Sequence, residues 1–307
     1  HEVVDIGEEN RYLSLARGFL SIKEGEEQIA LLPMDDIAVL LVSAQSVSFS
    51  KHIANELAER GAVTLLCGRN YQPQSIIMPV SGHYMQSGIL KTQIKASAPL
   101  KKRVWKSVVE AKLRNQGKAL LLCGKRDEAP LLFKIANIVK SGDPENREAY
   151  GARMYWKALF GPDFKRDKDG DGINAFLNYG YAIVRASMTR AICSAGLLPS
   201  LGIHHDNKLN PFCLSDDLFE PFRPLVDCGV HLLTQDKEKP ELEPEMKRML
   251  TKVLWIQLKT TEGNSPLFQS LHYMANSFVK ALKSKKPELS IPHWEGKGEV
   301  LPDAEQV

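Results

Sequence analysis

The chain has 307 residues, 43% of them hydrophobic and 25% charged, the balance of an ordinary soluble globular protein with room for about two domains. A net charge of +3 says little about partners, and five scattered cysteines with no CxxC pair exclude a zinc ribbon or a disulfide framework and fit a reducing cytoplasm. No basic start leads into an apolar segment, so no signal peptide is expected, and aliphatic runs such as Ile37 to Val42 are far too short to span a bilayer.

Residues 1 to about 80 read as strands. Tyr12 to Ile22 alternates apolar and polar residues. Glu27 to Leu32, Ile37 to Val42, Val63 to Cys67 and Ser75 to Val80 are short runs bounded by turn formers. One helix interrupts them, with Ser48 or Ser50 as cap, Ile53, Leu57 and Ala58 as its apolar face, and Gly61 as its stop. This part holds no glycine fingerprint for a dinucleotide and no phosphate loop, so it is expected to be a structural or dimerisation module.

Gly82 to Ser87 reads as a hinge, after which the periodicity becomes helical. Ile89 to Ala96 is a short helix. Leu100 to Gln116 is a longer one, with Gly117 after it, and Ala119 to Leu122 and Leu131 to Val139 continue the pattern. Between Lys101 and Lys140 stand eleven basic residues against three acids. Such a block is either a solvated helix face or a surface for phosphates, whose counterions it would release. Lys101, Arg103 and Lys106 are its leading candidates for DNA contact.

Glu145 to Phe160 is the next helix, and Glu148, Ala152, Tyr155 and Leu159 share one of its faces. A carboxylate on such a face needs a partner, either a basic residue or a metal ion. Asp167 to Gly172 reads DKDGDG, but the twelfth position of a calcium loop would be Asn178 rather than Glu. A turn with acids at a helix start is expected there. Ile173 to Ala195 is the clearest helix, stopped by Gly196.

Leu201 to Asp227 follows as a loop and helix holding His204 and His205, then Asp216, Asp217, Glu220 and Arg223. Imidazole with carboxylates suits Mg²⁺ or Mn²⁺ with open positions better than structural zinc. A surface loop beside an acidic helix start is the alternative. Pro221 predicts a kink or a new helix start, with Glu220 at the bend. Met246 to Leu258 and Pro266 to Leu282 read as two more helices, and the chain from Lys283 onward as a loosely ordered tail.

Four segments, EAYGARMYW from Glu148, NYGY from Asn178, GIHH from Gly202 and LSDDLFEPFRP from Leu214, resemble the CRISPR adaptation integrase family, the universal first CRISPR-associated protein. The wording of the last two is similar to the version found with type II systems. The resemblance implies an α+β fold: a small β-rich N-terminal domain over 1–81, a hinge over 82–88, a larger all-α catalytic domain over 89–284 and a flexible tail over 285–307. It implies one Mg²⁺ or Mn²⁺ held by Glu148, His205 and Glu220. His204 and Asp217 would then lie behind the ligands or contact DNA. The family often has Asp where this chain has Glu220. The resemblance further implies a cytoplasmic homodimer, formed through the N-terminal domains, that acts with a small second adaptation protein on double-stranded DNA. It leaves open whether the type II effector nuclease joins. A 3′-hydroxyl of captured DNA would attack a phosphodiester of the repeat, and His205 would have to be neutral to ligate, so that activity falls in acid. The alternatives are a stand-alone metal-dependent nuclease and a non-catalytic DNA-binding scaffold.

Overall fold

The structure is a computed structural model and describes residues 2–68, 73–79, 83–297 and 301. The chain divides into two compact units, His1–Tyr84 and Met85–Val307. Val80 at the end of the last expected strand and Gly82 of the expected hinge lie outside the described residues.

The first unit contains β1 (Glu2–Ile6), β2 (Arg11–Ala16), β3 (Phe19–Glu24), β4 (Glu27–Pro33), β5 (Ile37–Val42), β6 (Val47–Phe49), α1 (Lys51–Glu59), β7 (Val63–Cys67) and β8 (Pro73–Ile77). The stretch Tyr12 to Ile22 is not one strand. Arg17 and Gly18 both take positive φ, 51° and 85°, the two-residue turn whose twist suits a hairpin, and the chain folds back there. Strands β4, β3, β2 and β6 form one sheet in that order, and β1, β5, β7 and β8 the other. β5 is buried along its whole length between parallel neighbours β1 and β7, as a continuous aliphatic run requires. Ser50 caps α1 by accepting the Ile53 amide at 3.3 Å. Leu13, Leu20 and Ile22 from one sheet, Ile37, Leu40 and Val42 from the other, and Ile53 and Leu57 from α1 share one core. The opposite face of the meander leaves Tyr12, Phe19, Ile29 and Leu31 exposed.

The second unit is built from α2 (Gln86–Ile94), α3 (Ala98–Leu122), α4 (Ala129–Asn137), α5 (Arg147–Phe160), α6 (Ile173–Ser194), α7 (Cys213–Phe219), α8 (Arg223–Thr234), α9 (Pro244–Thr251) and α10 (Leu267–Ser284). α6 is buried almost throughout and packs against α7, α8, α9 and α10. α3 runs straight through Gly117, where a stop was expected. A Cβ there would lie 2.8 Å from the Phe133 ring of α4, so this glycine serves close helix packing rather than termination.

Two other expectations are corrected. The helix expected to Leu258 ends as α9 at Thr251 and passes through a 3₁₀ turn, Lys252–Trp255. A hairpin follows, β9 (Gln257–Thr260) and β10 (Gly263–Pro266). Ile256 and Leu258 are buried while Gln257 and Lys259 are exposed, the period of a strand. The chain after Ser284 is also not loose as far as Lys297. His293 bridges to Lys259, Ser290 donates its amide to Ser277, and Trp294 is fully buried. An indole of that size supplies the apolar surface that anchors an otherwise polar tail. No helix among the described residues is long and apolar enough to cross a membrane.

Candidate functional site

The histidine loop hangs on buried polar groups. Gln93 of α2 donates to the carbonyls of Leu198 and Leu201 at 3.0 Å each and accepts from the Leu198 amide. Lys101 of α3 donates to the Gly202 carbonyl at 3.1 Å. A Cβ on Gly202 would sit 2.2 Å from the His205 carbonyl oxygen, so the chain can turn this tightly only with glycine there. Trp105 of α3 stacks face to face on His204, centroids 4.2 Å apart.

Asp217 is the hub of the loop. It is completely buried on α7. Its Oδ2 accepts the amides of Ile203 and His204 at 2.6 and 2.8 Å, and the His205 amide also points to this carboxylate. Its Oδ1 meets His205 Nδ1 at 2.5 Å. A carboxylate can only accept, so in the neutral ring this bond puts the proton on Nδ1 and leaves the lone pair on Nε2, the arrangement in which a carboxylate prepares a histidine to ligate. The same bond raises the His205 pKa above its ordinary value. Burial lowers that of His204.

Pro221 breaks the helical run as expected. α7 ends at Phe219, a 3₁₀ turn spans Glu220–Phe222, and α8 starts at Arg223. Asn115 of α3 donates to the Pro221 carbonyl at 2.7 Å, which fixes the bend against α3. Glu220 is buried there. Arg223 Nε lies 2.9 Å from its Oε1 and Lys112 Nζ 2.6 Å from its Oε2. Burial alone would raise the Glu220 pKa, and Arg223 and Lys112 outweigh it, holding the group ionised well below the ordinary carboxylate range.

Glu148 comes to the same place from α5. Asp143, in a left-handed turn, accepts the amides of Arg147 and Glu148 at 2.9 Å each and so caps the helix. The Glu148 carboxylate pairs with the other side of the Lys112 ammonium. Burial works against the charged lysine, but Glu220 and Glu148 prevail and raise its pKa.

Glu148 and Glu220 therefore meet on one cation, and the Glu220 charge adds to the rise in the His205 pKa that the bond to Asp217 begins. Among the described residues no group of three His, Cys, Asp or Glu side chains stands in metal-coordinating geometry. The donor chemistry nevertheless fits a divalent ion: two carboxylates, one prepared imidazole, and a Glu220 Oε2 that has an ammonium beside it without hydrogen-bond alignment.

Of the other expected contacts, Lys101 is committed to the loop carbonyl, Lys106 pairs with Glu110 at 3.6 Å, and Arg103 is exposed. Asp216 is paired with Arg185 at 2.6 Å rather than with Lys112. The DKDGDG segment is a turn. Asn178 donates to the Lys168 carbonyl and accepts from Arg166. Lys112, Trp105, Gln93 and Asp143 were not singled out from the sequence.

Behind the site Asp227 is buried and accepts from Tyr181. Burial raises its pKa to about 7 against the pull of Tyr181, Arg223 and Arg166. A carboxyl whose folded pKa is raised gives stability that is complete below its unfolded value near 3.8 and is lost as pH rises through about 7. Asp227→Asn is therefore expected to flatten the pH dependence of the melting temperature. The wild type should lose on the order of 3 kcal/mol relative to the variant between pH 4 and pH 8. Parallel pH profiles of the two proteins would contradict this.

A β-rich unit before a helical unit is a fold this chain shares with solved casposase and Cas1 structures. A casposase bound to integration product superposes with TM-score 0.81 at 20% identity, covering 100% of this chain and 97% of that one. A Cas6-RT-Cas1–Cas2 complex gives TM-score 0.75 at 16% identity over 94% of this chain and 36% of that one. The CRISPR-associated endonuclease Cas1 of Neisseria meningitidis serogroup C (strain 8013) is 37% identical over 292 residues, 94% of this chain and 93% of its own. The family model of CRISPR associated protein Cas1 matches residues 5–246. The chain belongs to the Cas1 family.

Proposed function

We propose that this chain is a metal-dependent DNA integrase and endonuclease of CRISPR adaptation, which inserts short duplexes into a repeat array. The observation that carries the reading is the meeting of Glu148 and Glu220, from segments far apart in sequence, on one cation, in a unit that also holds a histidine whose Nδ1 is engaged by a buried carboxylate. The naming of its Neisseria relative as an endonuclease and of its structural neighbour as bound to an integration product supports it.

Glu148, His205 Nε2 and Glu220 would hold Mg²⁺ or Mn²⁺, and the ion would polarise a phosphoryl oxygen and stabilise the charge that develops on it. Asp217 keeps the imidazole in the ligating tautomer. Arg223 keeps Glu220 ionised and aimed. A 3′-hydroxyl forms the new P–O bond as the repeat strand's 3′-oxygen leaves. Water in place of the hydroxyl makes the same site a nuclease. The exposed residues Lys102, Arg103, Arg114, Arg126 and Lys134 offer sequence-independent contacts to the duplex backbone. The exposed face of Tyr12, Phe19, Ile29 and Leu31 suits pairing of two copies through the N-terminal unit. The small second adaptation protein is the proposed partner, supported by the complex of a structural neighbour that contains Cas2.

The scaffold reading draws on the same Lys112 ion pairs, taken as purely structural. A joining assay separates the readings. It combines a supercoiled plasmid bearing the repeat array, a short duplex and the second adaptation protein, in Mn²⁺ or in EDTA. Joined product in Mn²⁺ that disappears in EDTA is expected. Cleavage without joining would favour the nuclease, and binding without either reaction the scaffold.

A further inference from the structure

Lys112 occupies a core position on α3. Val104 and Val108 precede it at helical spacing and are fully buried, so the lysine is carried out of water with the stripe. A lone ammonium there would be very costly. It is instead clasped by two carboxylates from different elements, Glu148 of α5 and Glu220 of the turn before α8. Without it, Glu148 and Glu220 would face each other with one cation fewer, and like charges at such range repel strongly in a buried site.

We infer that Lys112 is a positioning residue: a built-in counter-cation that holds Glu148 and Glu220 together while the site carries no metal and that a divalent ion must displace. The inference rests on the reading of those two carboxylates as metal ligands. A group that stabilises the metal-free state alone weakens metal binding by the same factor. Lys112 thus keeps the empty site folded and sets the metal concentration at which the site loads.

The test titrates Mn²⁺ calorimetrically into full-length wild type, Lys112→Met, Lys112→Arg and Glu148→Gln, and melts each in EDTA. Lys112→Met should melt roughly 10 °C below wild type in EDTA and bind Mn²⁺ at least about fivefold more tightly. Lys112→Arg keeps the charge and should bind no more tightly than wild type. Unchanged or weaker Mn²⁺ binding by Lys112→Met overturns the inference. If Glu148→Gln loses Mn²⁺ while Lys112→Met gains nothing, the ligand reading stands and the counter-cation role alone falls. If Glu148→Gln binds as wild type does, both fall. Should Lys112→Met not fold in EDTA, the double variant Lys112→Met/Glu148→Gln, which removes one charge of each sign, should recover most of the lost melting temperature. A double variant that stays unfolded would mean that Lys112 is needed for packing rather than charge, and would overturn the inference.

Discussion

Replacing His205 with alanine is expected to abolish strand joining while leaving folding and duplex binding nearly unchanged. In the proposed site the imidazole would offer Nε2 to the ion, because Asp217 holds Nδ1. Loss of a partner behind a ligand already costs about 10–100-fold in activity or metal affinity, so loss of the ligand itself should exceed about a hundredfold. Stability should change little. The His205 side chain is 46% exposed, so little apolar burial is lost with it, and a single hydrogen bond contributes about 1 kcal/mol net. Asp217 keeps its backbone amides in the variant. Gel-based joining, a melting curve and a duplex-binding titration on the same preparation check all three statements. Joining at more than a tenth of the wild-type rate would remove His205 from the site.

Asp217→Ala is expected to do the reverse and damage the fold first. This carboxylate was expected behind the ligands or on the DNA. The structure puts it wholly inside, accepting from the Ile203 and His204 amides and from His205. Its removal strands several donors without an acceptor. The loss should be about 3–5 kcal/mol, the range for a buried charge network with one member deleted, or a fall in Tm of about 10 °C. Hydrogen exchange at residues 203–205 should become fast even where the variant remains folded. Asp217→Asn keeps one acceptor oxygen and should melt between the two, yet lose about 10–100-fold in joining because it no longer fixes the histidine tautomer. An Asp217→Ala protein that melts with the wild type would mean that the loop is held by Gln93, Lys101 and Trp105 alone.

The large features of the fold were legible where periodicity is strong. α6 shows a long apolar stripe with Gly196 after it, and β5 is an uninterrupted aliphatic run. A residue whose reason is tertiary leaves no local sign. Gly117 looks like a stop until the Phe133 ring is seen against it, and Trp294 lies in a polar tail whose packing no local pattern announces. The hairpin at β2–β3 is masked in the sequence although Arg17-Gly18 supplies the turn, because alternation continues on both sides of it. Within the site, GIHH and the acids before Pro221 point to chemistry by residue type alone. Lys112 carries a signal in the sequence: it sits in phase with Val104 and Val108, and a lysine in a buried stripe implies carboxylate partners. Asp143 and Gln93 gave no such sign. Their work is to satisfy backbone groups that only the folded loop brings near.

Anomalous X-ray diffraction from Mn²⁺-soaked crystals of the wild-type protein tests most directly whether Glu148, His205 and Glu220 hold one divalent ion, as proposed. The expected result is a single Mn²⁺ peak contacted by Glu148, Glu220 and His205 Nε2, with the Lys112 ammonium withdrawn from both carboxylates. A peak elsewhere on the chain, or none at saturating Mn²⁺ from a preparation that joins DNA, would contradict it.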